Sequence, residues 1–322
     1  MSNNKSAFRN SLIMSVLLLL ASGSAFAQAT RTWVSGVGDD ANPCSRTAPC
    51  KTWAGAISKT AAGGIINCID PGGFGTVTVT KSMTISCKHV EGSALASGTT
   101  GVIINGANID VVLRGLDIDG GSPTSAGING IRFLQGTSLI VEDCTIRDFG
   151  GASPNGNGIL VDNTSLIADI HVVNSNITGN GSGTVGAGIQ IAPTGTGGAR
   201  VIVTNSALAN NVVGIRADSV ATTGAINVTV TDTSASGAPY HGFVALGAGG
   251  PVRMMLNRVT SANNLGDGVR SVGAGAIVRI GSSVVTGNGT GLASGGGQLQ
   301  SYGDNQINSN TVDGTATAVA LK

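Results

Sequence analysis

Two carboxylates, Asp117 and Asp119, stand two residues apart in the segment GLDIDGG. Side chains at positions i and i+2 of a β-strand point to the same face of a sheet, so both carboxylates face outwards if Leu116 and Ile118 face inwards. Carboxylate oxygens are ligands that Ca²⁺ prefers, and the pair is a candidate contributor to a calcium site. Two solvated carboxylates at a strand end explain the same residues, and we favour that simpler interpretation.

A second candidate is the dipeptide Tyr240–His241, whose side chains could form an acid and base pair of the kind found in epimerases. Neighbouring residues of a strand point to opposite faces of the sheet. One of the two side chains is therefore expected to face the interior. The sequence assigns no catalytic residue.

A third candidate is a row of residues that follows a recurring dipeptide of glycine and an apolar residue, as at Gly214–Ile215. Two positions after each glycine stand, in order, Arg132, Leu160, Gln190, Arg216, Val244 and Arg270. Arginine on a flat sheet face can pair with the carboxylates or sulfates of a linear polysaccharide. The four polar members of the row are our candidate ligand-binding residues, although a solvated face also explains them.

These candidates need a repeating scaffold, and the chain provides one. The stretch VIVTNSALANN at 201–211 alternates like a strand and then ends in asparagines, and similar endings recur every 22–31 residues. The predicted corner positions are Gly115, Asp143, Asn174, Asn205, Asp232, Asn257, Ser282 and Asp304. Six residues later, five repeats carry asparagine, at Asn180, Asn211, Asn263, Asn288 and Asn310. Asparagine tolerates a left-handed corner, and stacked amides can form a ladder, so we interpret these rows as structural.

Short β runs at this period are typical of a solenoid. Leucine-rich repeats share the period, but Leu should then dominate and each unit should carry a helical segment. A β-sandwich would not preserve one register through eight passes. The sequence therefore predicts an all-β chain, a parallel β-helix, in which each coil pairs with the coils above and below.

The chain divides into four predicted segments. Residues 1–27 combine Lys5 and Arg9 with an apolar run and an Ala-Phe-Ala site, as a cleavable signal peptide does. Residues 28–64 form an N-terminal cap, in which WAGAISKTA at 53–61 predicts a short amphipathic helix with Thr52 as its N-cap. Residues 65–310 form the coils, and residues 311–322 form a C-terminal tail.

The composition of the chain limits the classes of binding partner that we expect. Cleavage after residue 27 leaves 16 basic and 17 acidic residues, and no later apolar run has the length of a membrane span. Because the sequence contains no cluster of basic residues, it lacks the positively charged surface of a nucleic-acid-binding protein. With aromatic residues at only 3%, stacking platforms for sugar rings are scarce.

The five cysteines survive cleavage into an oxidising compartment. Cys44 and Cys50 flank a short loop and are the first predicted disulfide, and Cys68 and Cys87 could bridge adjacent layers. Cys144 is left over as a predicted buried thiol. Zinc binding is not expected, because no histidine has ligand spacing to a cysteine pair.

The segment PCKTWAGAISKTAAGGIINCIDPGGFGTVTVTKSMTISC, with the later corners NSNITGN and SSVVTGN, resembles secreted bacterial right-handed parallel β-helix proteins of the pectin-lyase-like superfamily. The resemblance covers roughly residues 31–310 and implies a right-handed coil. It also implies a group with many activities, among them lyases, hydrolases, esterases and adhesins.

Members that resemble pectate lyases use a calcium cluster of carboxylates with an arginine or lysine base, but residues 89–321 contain no lysine. Of the polygalacturonase pattern only His241–Gly242 is present, and that is a repeat anchor. We therefore expect a secreted or periplasmic, non-catalytic β-helix that offers a flat face to a polysaccharide or surface partner and needs no cofactor. The alternative is a polysaccharide lyase or glycoside hydrolase, and only as a lyase would calcium be expected.

Overall fold

The computed structural model describes residues 28–320; the predicted signal peptide lies outside these described residues. The described chain winds through about ten coils and builds three parallel sheets of 12, 10 and 10 strands. Every strand pairs in parallel with strands of the coils before and after it, apart from those at the two ends. The all-β parallel solenoid predicted from the sequence is confirmed.

Sheet A holds the longest strands. Its members, in spatial order, are β1 (Ala29–Val34), β2 (Thr60–Cys68), β5 (Met83–Ser86), β8 (Asp110–Arg114), β11 (Ser138–Glu142), β14 (Ile167–Val173), β17 (Gly198–Thr204), β20 (Ile226–Thr231), β23 (Val252–Asn257), β26 (Ala276–Gly281), β29 (Gln298–Ser301) and β32 (Thr317–Ala318).

Sheet B follows sheet A after a sharp corner and consists of short strands. They are β3 (Gly72–Gly73), β6 (Gly92–Leu95), β9 (Leu116–Asp119), β12 (Thr145–Arg147), β15 (Asn176–Thr178), β18 (Ala207–Ala209), β21 (Ser234–Ser236), β24 (Thr260–Ala262), β27 (Val284–Thr286) and β30 (Gln306–Asn308).

Sheet C completes each coil. Its strands are β4 (Val77–Val79), β7 (Val102–Asn105), β10 (Asn129–Gln135), β13 (Asn157–Val161), β16 (Ile189–Ile191), β19 (Val213–Asp218), β22 (His241–Leu246), β25 (Asp267–Val272), β28 (Thr290–Gly295) and β31 (Val312–Gly314). Helical structure is limited to α1 (Trp53–Ile57) and a 3₁₀ turn at Pro123–Ser125 in the described chain.

Aliphatic side chains stack inside the coils. One inward row on sheet B runs Ile118, Ile146, Ile177, Leu208, Ala235, Ser261, Val285 and Ile307. The corner before Ser261 was predicted at Asn257, and this position was wrong by one residue. Arg258 occupies the corner with a φ of 50°, and its guanidinium is held by Asp232 across 2.7 Å.

Buried asparagines form a ladder inside the corner between sheets B and C. The Nδ2 of Asn264 donates to Oδ1 of Asn288 across 2.8 Å, and Asn288 donates in turn to Asn310 across 2.9 Å. The one-residue shift also replaces the predicted Asn263 by Asn264 in this row. At the coil of Ala238 the ladder lacks an amide, and the backbone N–H of Ala238 donates to Asn264 instead.

The recurring glycines lie where neighbouring coils approach too closely for a side chain. A Cβ on Gly158 would lie 2.6 Å from Cγ2 of Ile177 and 2.7 Å from the carbonyl oxygen of Gly188. Gly130 has similar neighbours at 2.4 and 2.5 Å. These glycines therefore fix the separation between successive strands of sheet C.

A short helix, α1, lies near the N-terminal end of the coils. Trp53 and Ala56 of α1 are buried, the ring of Trp53 lies 5.8 Å from that of Phe74, and Oγ1 of Thr52 accepts from the N–H of Gly55. The helix is shorter than predicted, because β2 begins at Thr60. At the other end β31 and β32 continue sheets C and A into the predicted tail.

Both predicted disulfides are present. Cys44 pairs with Cys50 and Cys68 with Cys87, with Cα atoms 4.6 and 4.8 Å apart. Disulfides of this kind persist in extracellular or periplasmic surroundings. No helix in residues 28–320 is long and apolar enough to cross a membrane.

Candidate functional site

The predicted arginine row lies on the outer face of sheet C and keeps its register throughout. Backbone pairing places Arg132, Leu160, Gln190, Arg216, Val244 and Arg270 side by side on successive strands. We call these six residues the C-face row. With strands about 4.8 Å apart, the row spans roughly 24 Å.

Two of the three arginines in the row are neutralised by carboxylates at its edge. Arg132 donates through Nε and a terminal nitrogen to Oδ2 of Asp162 across 3.0 and 2.6 Å. Arg270 donates to Oδ2 of Asp267 across 2.6 Å. Because each guanidinium is already paired with a carboxylate, neither arginine has an uncompensated charge. Their role as direct anion ligands stays a prediction, and the pairing weakens it.

Gln190 and Arg216, adjacent in the ladder, are arranged differently. Gln190 is only 9% exposed, and its amide makes no hydrogen bond within residues 28–320. Nε of Arg216 is buried without a hydrogen-bond partner, and no described carboxylate lies within 4.0 Å of its guanidinium nitrogens. An arginine in this state is available to an anionic or hydroxyl-rich ligand.

His241 and Asp267 occupy the neighbouring outward row, one position before the recurring glycine. The backbone N–H of Asp267 donates to Nδ1 of His241 across 2.9 Å, and Oδ2 of Asp267 lies 3.3 Å from the same nitrogen. Burial lowers the pKa of His241; Asp267 opposes this shift, whereas Arg270 and Arg216 reinforce it. The imidazole is therefore neutral at neutral pH, with its proton on Nε2.

This tautomer makes His241 a hydrogen-bond donor towards solvent. A general base would need its free lone pair on the exposed nitrogen, but the lone pair of Nδ1 already accepts from the backbone. The prediction that one of Tyr240 and His241 faces the interior was wrong. Tyr240 is 37% exposed, His241 is half-buried, and the rings lie 6.1 Å apart edge to face, because Tyr240 precedes the strand.

Asp117 and Asp119 lie together on the outer face of sheet B, with 27% and 28% of their side chains exposed, and both are paired with a guanidinium group. Arg147, one strand along, contacts both carboxylates, and its second terminal nitrogen lies 2.8 Å from Oδ2 of Asp119. Within residues 28–320, no group of three His, Cys, Asp or Glu side chains is placed to hold a metal ion. The residues therefore do not fit a calcium site at Asp117 and Asp119.

Another concave surface runs along the corner between sheets A and B. It is an open groove of about 620 Å³, lined by amides and hydroxyls of the corner residues, among them Asn174, Asn205 and Thr233. Its two charged residues, Asp232 and Arg258, are paired with each other. The groove therefore presents no unpaired charge of the kind found at Arg216.

We call the C-face row together with Asp162, His241 and Asp267 the C-face site. Sequence reasoning missed two of its residues, Asp162 and Asp267. A signal for Asp267 was available, because both His241 and Asp267 directly precede a recurring glycine and so share a row. Asp162 follows the last residue of β13, beyond the repeat positions that were aligned.

Two solved structures share this fold. The chain aligns with a pectate lyase, Pel9A, at a TM-score of 0.63 and 14% identity, over 90% of this chain and 77% of the other. It aligns with a rhamnogalacturonan lyase at a TM-score of 0.52 and 14% identity, over 90% of this chain and 89% of the other. No protein-family model and no curated sequence matches the chain. The sequence resemblance to pectin-lyase-like β-helices is confirmed at the level of the fold.

Proposed function

We propose that this protein is a non-catalytic polysaccharide-binding β-helix whose ligand lies along the outer face of sheet C. The carrying observation is the adjacent pair Gln190 and Arg216. The amide of Gln190 makes no hydrogen bond among residues 28–320, and the partly buried Arg216 has a buried Nε without a partner and no described carboxylate within 4.0 Å. Buried polar groups in folded proteins are nearly always hydrogen-bonded. A ligand with hydroxyls and carboxylates would supply the missing partners.

The shape of the site supports an extended ligand. Leu160 and Val244 of the C-face row are only 2% exposed. The proposed contacts therefore lie on three successive strands: Gln190 and Arg216 in the row, and the donor Nε2 of His241 in the neighbouring row. Tyr240 adds an exposed ring beside His241, and such a ring can pack against the apolar face of a sugar. Both structural neighbours bear the names of polysaccharide lyases, which makes pectate and rhamnogalacturonan the first ligands to try.

The non-catalytic part of the proposal has its own support. In the C-face site the carboxylates of Asp162 and Asp267 are each engaged by an arginine, and the lone pair of His241 accepts from the backbone. Among the described residues there, the buried carboxylate oxygen left without a partner is Oδ1 of Asp162, which lies beside Arg132. A lyase remains the second candidate, since the buried Nε of Arg216 is the one unpaired basic group in the row.

The two disulfides support a location outside the cytoplasm. We propose that residues 1–27 direct export and are removed. The mass of the mature chain purified from its native compartment tests this.

The function is tested by affinity electrophoresis and calorimetry of the mature chain with pectate, rhamnogalacturonan and a neutral galactan. We expect binding to the acidic polymers, and Arg216→Ala should weaken it about tenfold, whereas Arg46→Ala on an exposed loop should not. Binding that is unchanged in Arg216→Ala would remove the assigned site.

The same mixtures are followed for unsaturated or new reducing ends, with calcium and with a chelator. We expect neither product. Their appearance with the wild type, and loss with Arg216→Ala, would overturn the non-catalytic assignment in favour of a lyase.

A further inference from the structure

The outer face of sheet A carries three straight rows across β8 to β26. Pairing between these strands shows no register shift. The first row runs Asp110, Ser138, Asp169, Arg200, Asn227, Arg253 and Ile277. The middle row runs Val112, Ile140, His171, Ile202, Thr229, Met255 and Arg279. The third row runs Arg114, Glu142, Val173, Thr204, Thr231, Asn257 and Gly281.

Charge is distributed unevenly along the first row. Its carboxylates, Asp110 and Asp169, lie on the N-terminal coils, and its guanidinium groups, Arg200 and Arg253, lie on the C-terminal coils. Arg200 already pairs with Asp169 at the centre. Arg253 has no carboxylate within 4.0 Å in the described chain. The middle row is mainly apolar, and Ile202 is 38% exposed.

We propose that a second copy of this chain docks on this face, related by a two-fold axis that runs along the strand direction between β14 and β17. Such an axis keeps each row opposite itself and reverses the order of the coils. Arg253 then faces Asp110 of the second copy, and Arg200 faces Asp169 of the second copy. Every charged pair across the first row is therefore complementary.

The other two rows agree with this axis. In the middle row Met255 faces Val112 of the second copy, and Ile202 faces His171 of the second copy. In the third row Glu142 faces Thr231, so no like charges meet.

Axes that pass through a strand do not have this property. An axis through β17 places Arg200 against its own copy, and an axis through β14 does the same for Asp169. Like charges placed directly opposite each other oppose association. Axes between other strands also avoid like charges, but they pair fewer of the four charged residues. Between β17 and β20 only Asp169 meets Arg253, and between β11 and β14 only Asp110 meets Arg200. Among axes along the strand direction, the one between β14 and β17 pairs all four.

The available area suits a weak dimer. The axis also sets β26 opposite β5 of the second copy. Eight strands about 4.8 Å apart, β5 to β26, each contributing five residues of about 3.3 Å, cover roughly 600 Å² on each copy. The total of about 1,200 Å² lies at the lower end of specific interfaces. The interface does not involve the C-face row, so the proposal does not depend on the proposed function.

Sedimentation velocity of the mature chain at rising micromolar concentrations tests the proposal. We expect a monomer–dimer equilibrium that shifts towards monomer at high salt. Arg253→Glu and Asp110→Arg should each weaken the dimer at least about tenfold, because each sets like charges opposite one another twice. The double variant, which exchanges the two charges, should restore association.

The matched control is Arg46→Glu, which makes the same charge change on an exposed loop outside sheet A. It should dimerise like the wild type. A wild type that stays monomeric throughout, a single variant that dimerises normally, or a double variant that fails to recover would each overturn the proposal. Circular dichroism of every variant verifies that the coils are intact.

Discussion

The backbone N–H of Asp267 donates to Nδ1 of His241 across 2.9 Å, from one coil to the next. Because this contact uses the lone pair of Nδ1, the imidazole carries its proton on Nε2. The same aspartate holds Arg270 through its carboxylate. One residue therefore sets both the tautomer of the histidine and the charge balance of the C-face site.

His241 should make stability depend on pH. Burial lowers the pKa of His241 below its unfolded value of about 6.5, so below that pH the unfolded chain binds a proton that the folded chain resists. The free energy of unfolding should fall as the pH drops through this range. His241→Asn, whose Oδ1 can accept from Asp267, should lose less stability between about pH 7 and about pH 5. Urea titrations check this, and an identical decline in both proteins would contradict it.

Arg147 should be needed to keep Asp117 and Asp119 together. Replacing it by methionine removes the only charge that compensates the pair among the described residues, and both carboxylates are mainly buried. We expect Arg147→Met to destabilise the protein by about 1–2 kcal/mol at neutral pH. Adding Asp117→Asn and Asp119→Asn should recover most of that loss. Urea denaturation measures these changes in the free energy of unfolding. If Arg147→Met left that free energy unchanged, solvent would be screening the repulsion between the two carboxylates.

The one-residue correction at the corner can be tested directly. Asn264 is 1% exposed and bonds Asn288 and the N–H of Ala238, whereas Asn257 makes no side-chain hydrogen bond in residues 28–320. Asn264→Ala should cost about 2–3 kcal/mol, since it leaves buried groups unpaired. Asn257→Ala should stay within about 0.5 kcal/mol of the wild type. If thermal unfolding showed instead that Asn257→Ala costs more stability than Asn264→Ala, the alignment predicted from the sequence, with Asn257 at the corner, would be the correct one.

The coil architecture was predictable because two periodicities coincide in this chain. Alternation fixes which side chains face inwards, and the recurring glycines mark the same point of each coil, so Arg132 and Arg270 could be placed in one row without a structure. The alignment failed at Arg258, because a bulky residue at positive φ is uncommon. The other coils carry a small or polar residue at this corner. In this coil the residue is Arg258, and its guanidinium forms an ion pair with Asp232.

The electrostatic state of the row was not predictable from the repeat. Arg132, Arg216 and Arg270 look equivalent in sequence, yet two are neutralised by Asp162 and Asp267 and one is not. The difference depends on which acidic residues stand at the edges of sheet C, where coils vary in length. Periodicity gives the positions of side chains, and it carries no information about their partners across coils.

Cys144 should be chemically silent while the protein is folded. It is 2% exposed, and burial raises its pKa to about 12, although backbone hydrogen bonds oppose that shift. Since the thiolate is the reactive form, an aromatic disulfide reagent at mildly alkaline pH should not label the native chain. In denaturant without reductant it should label one thiol per chain, because the other four cysteines are paired. Rapid labelling of the native protein would mean that the coil around Cys144 opens, and a count of three thiols in denaturant would mean that one disulfide is not formed.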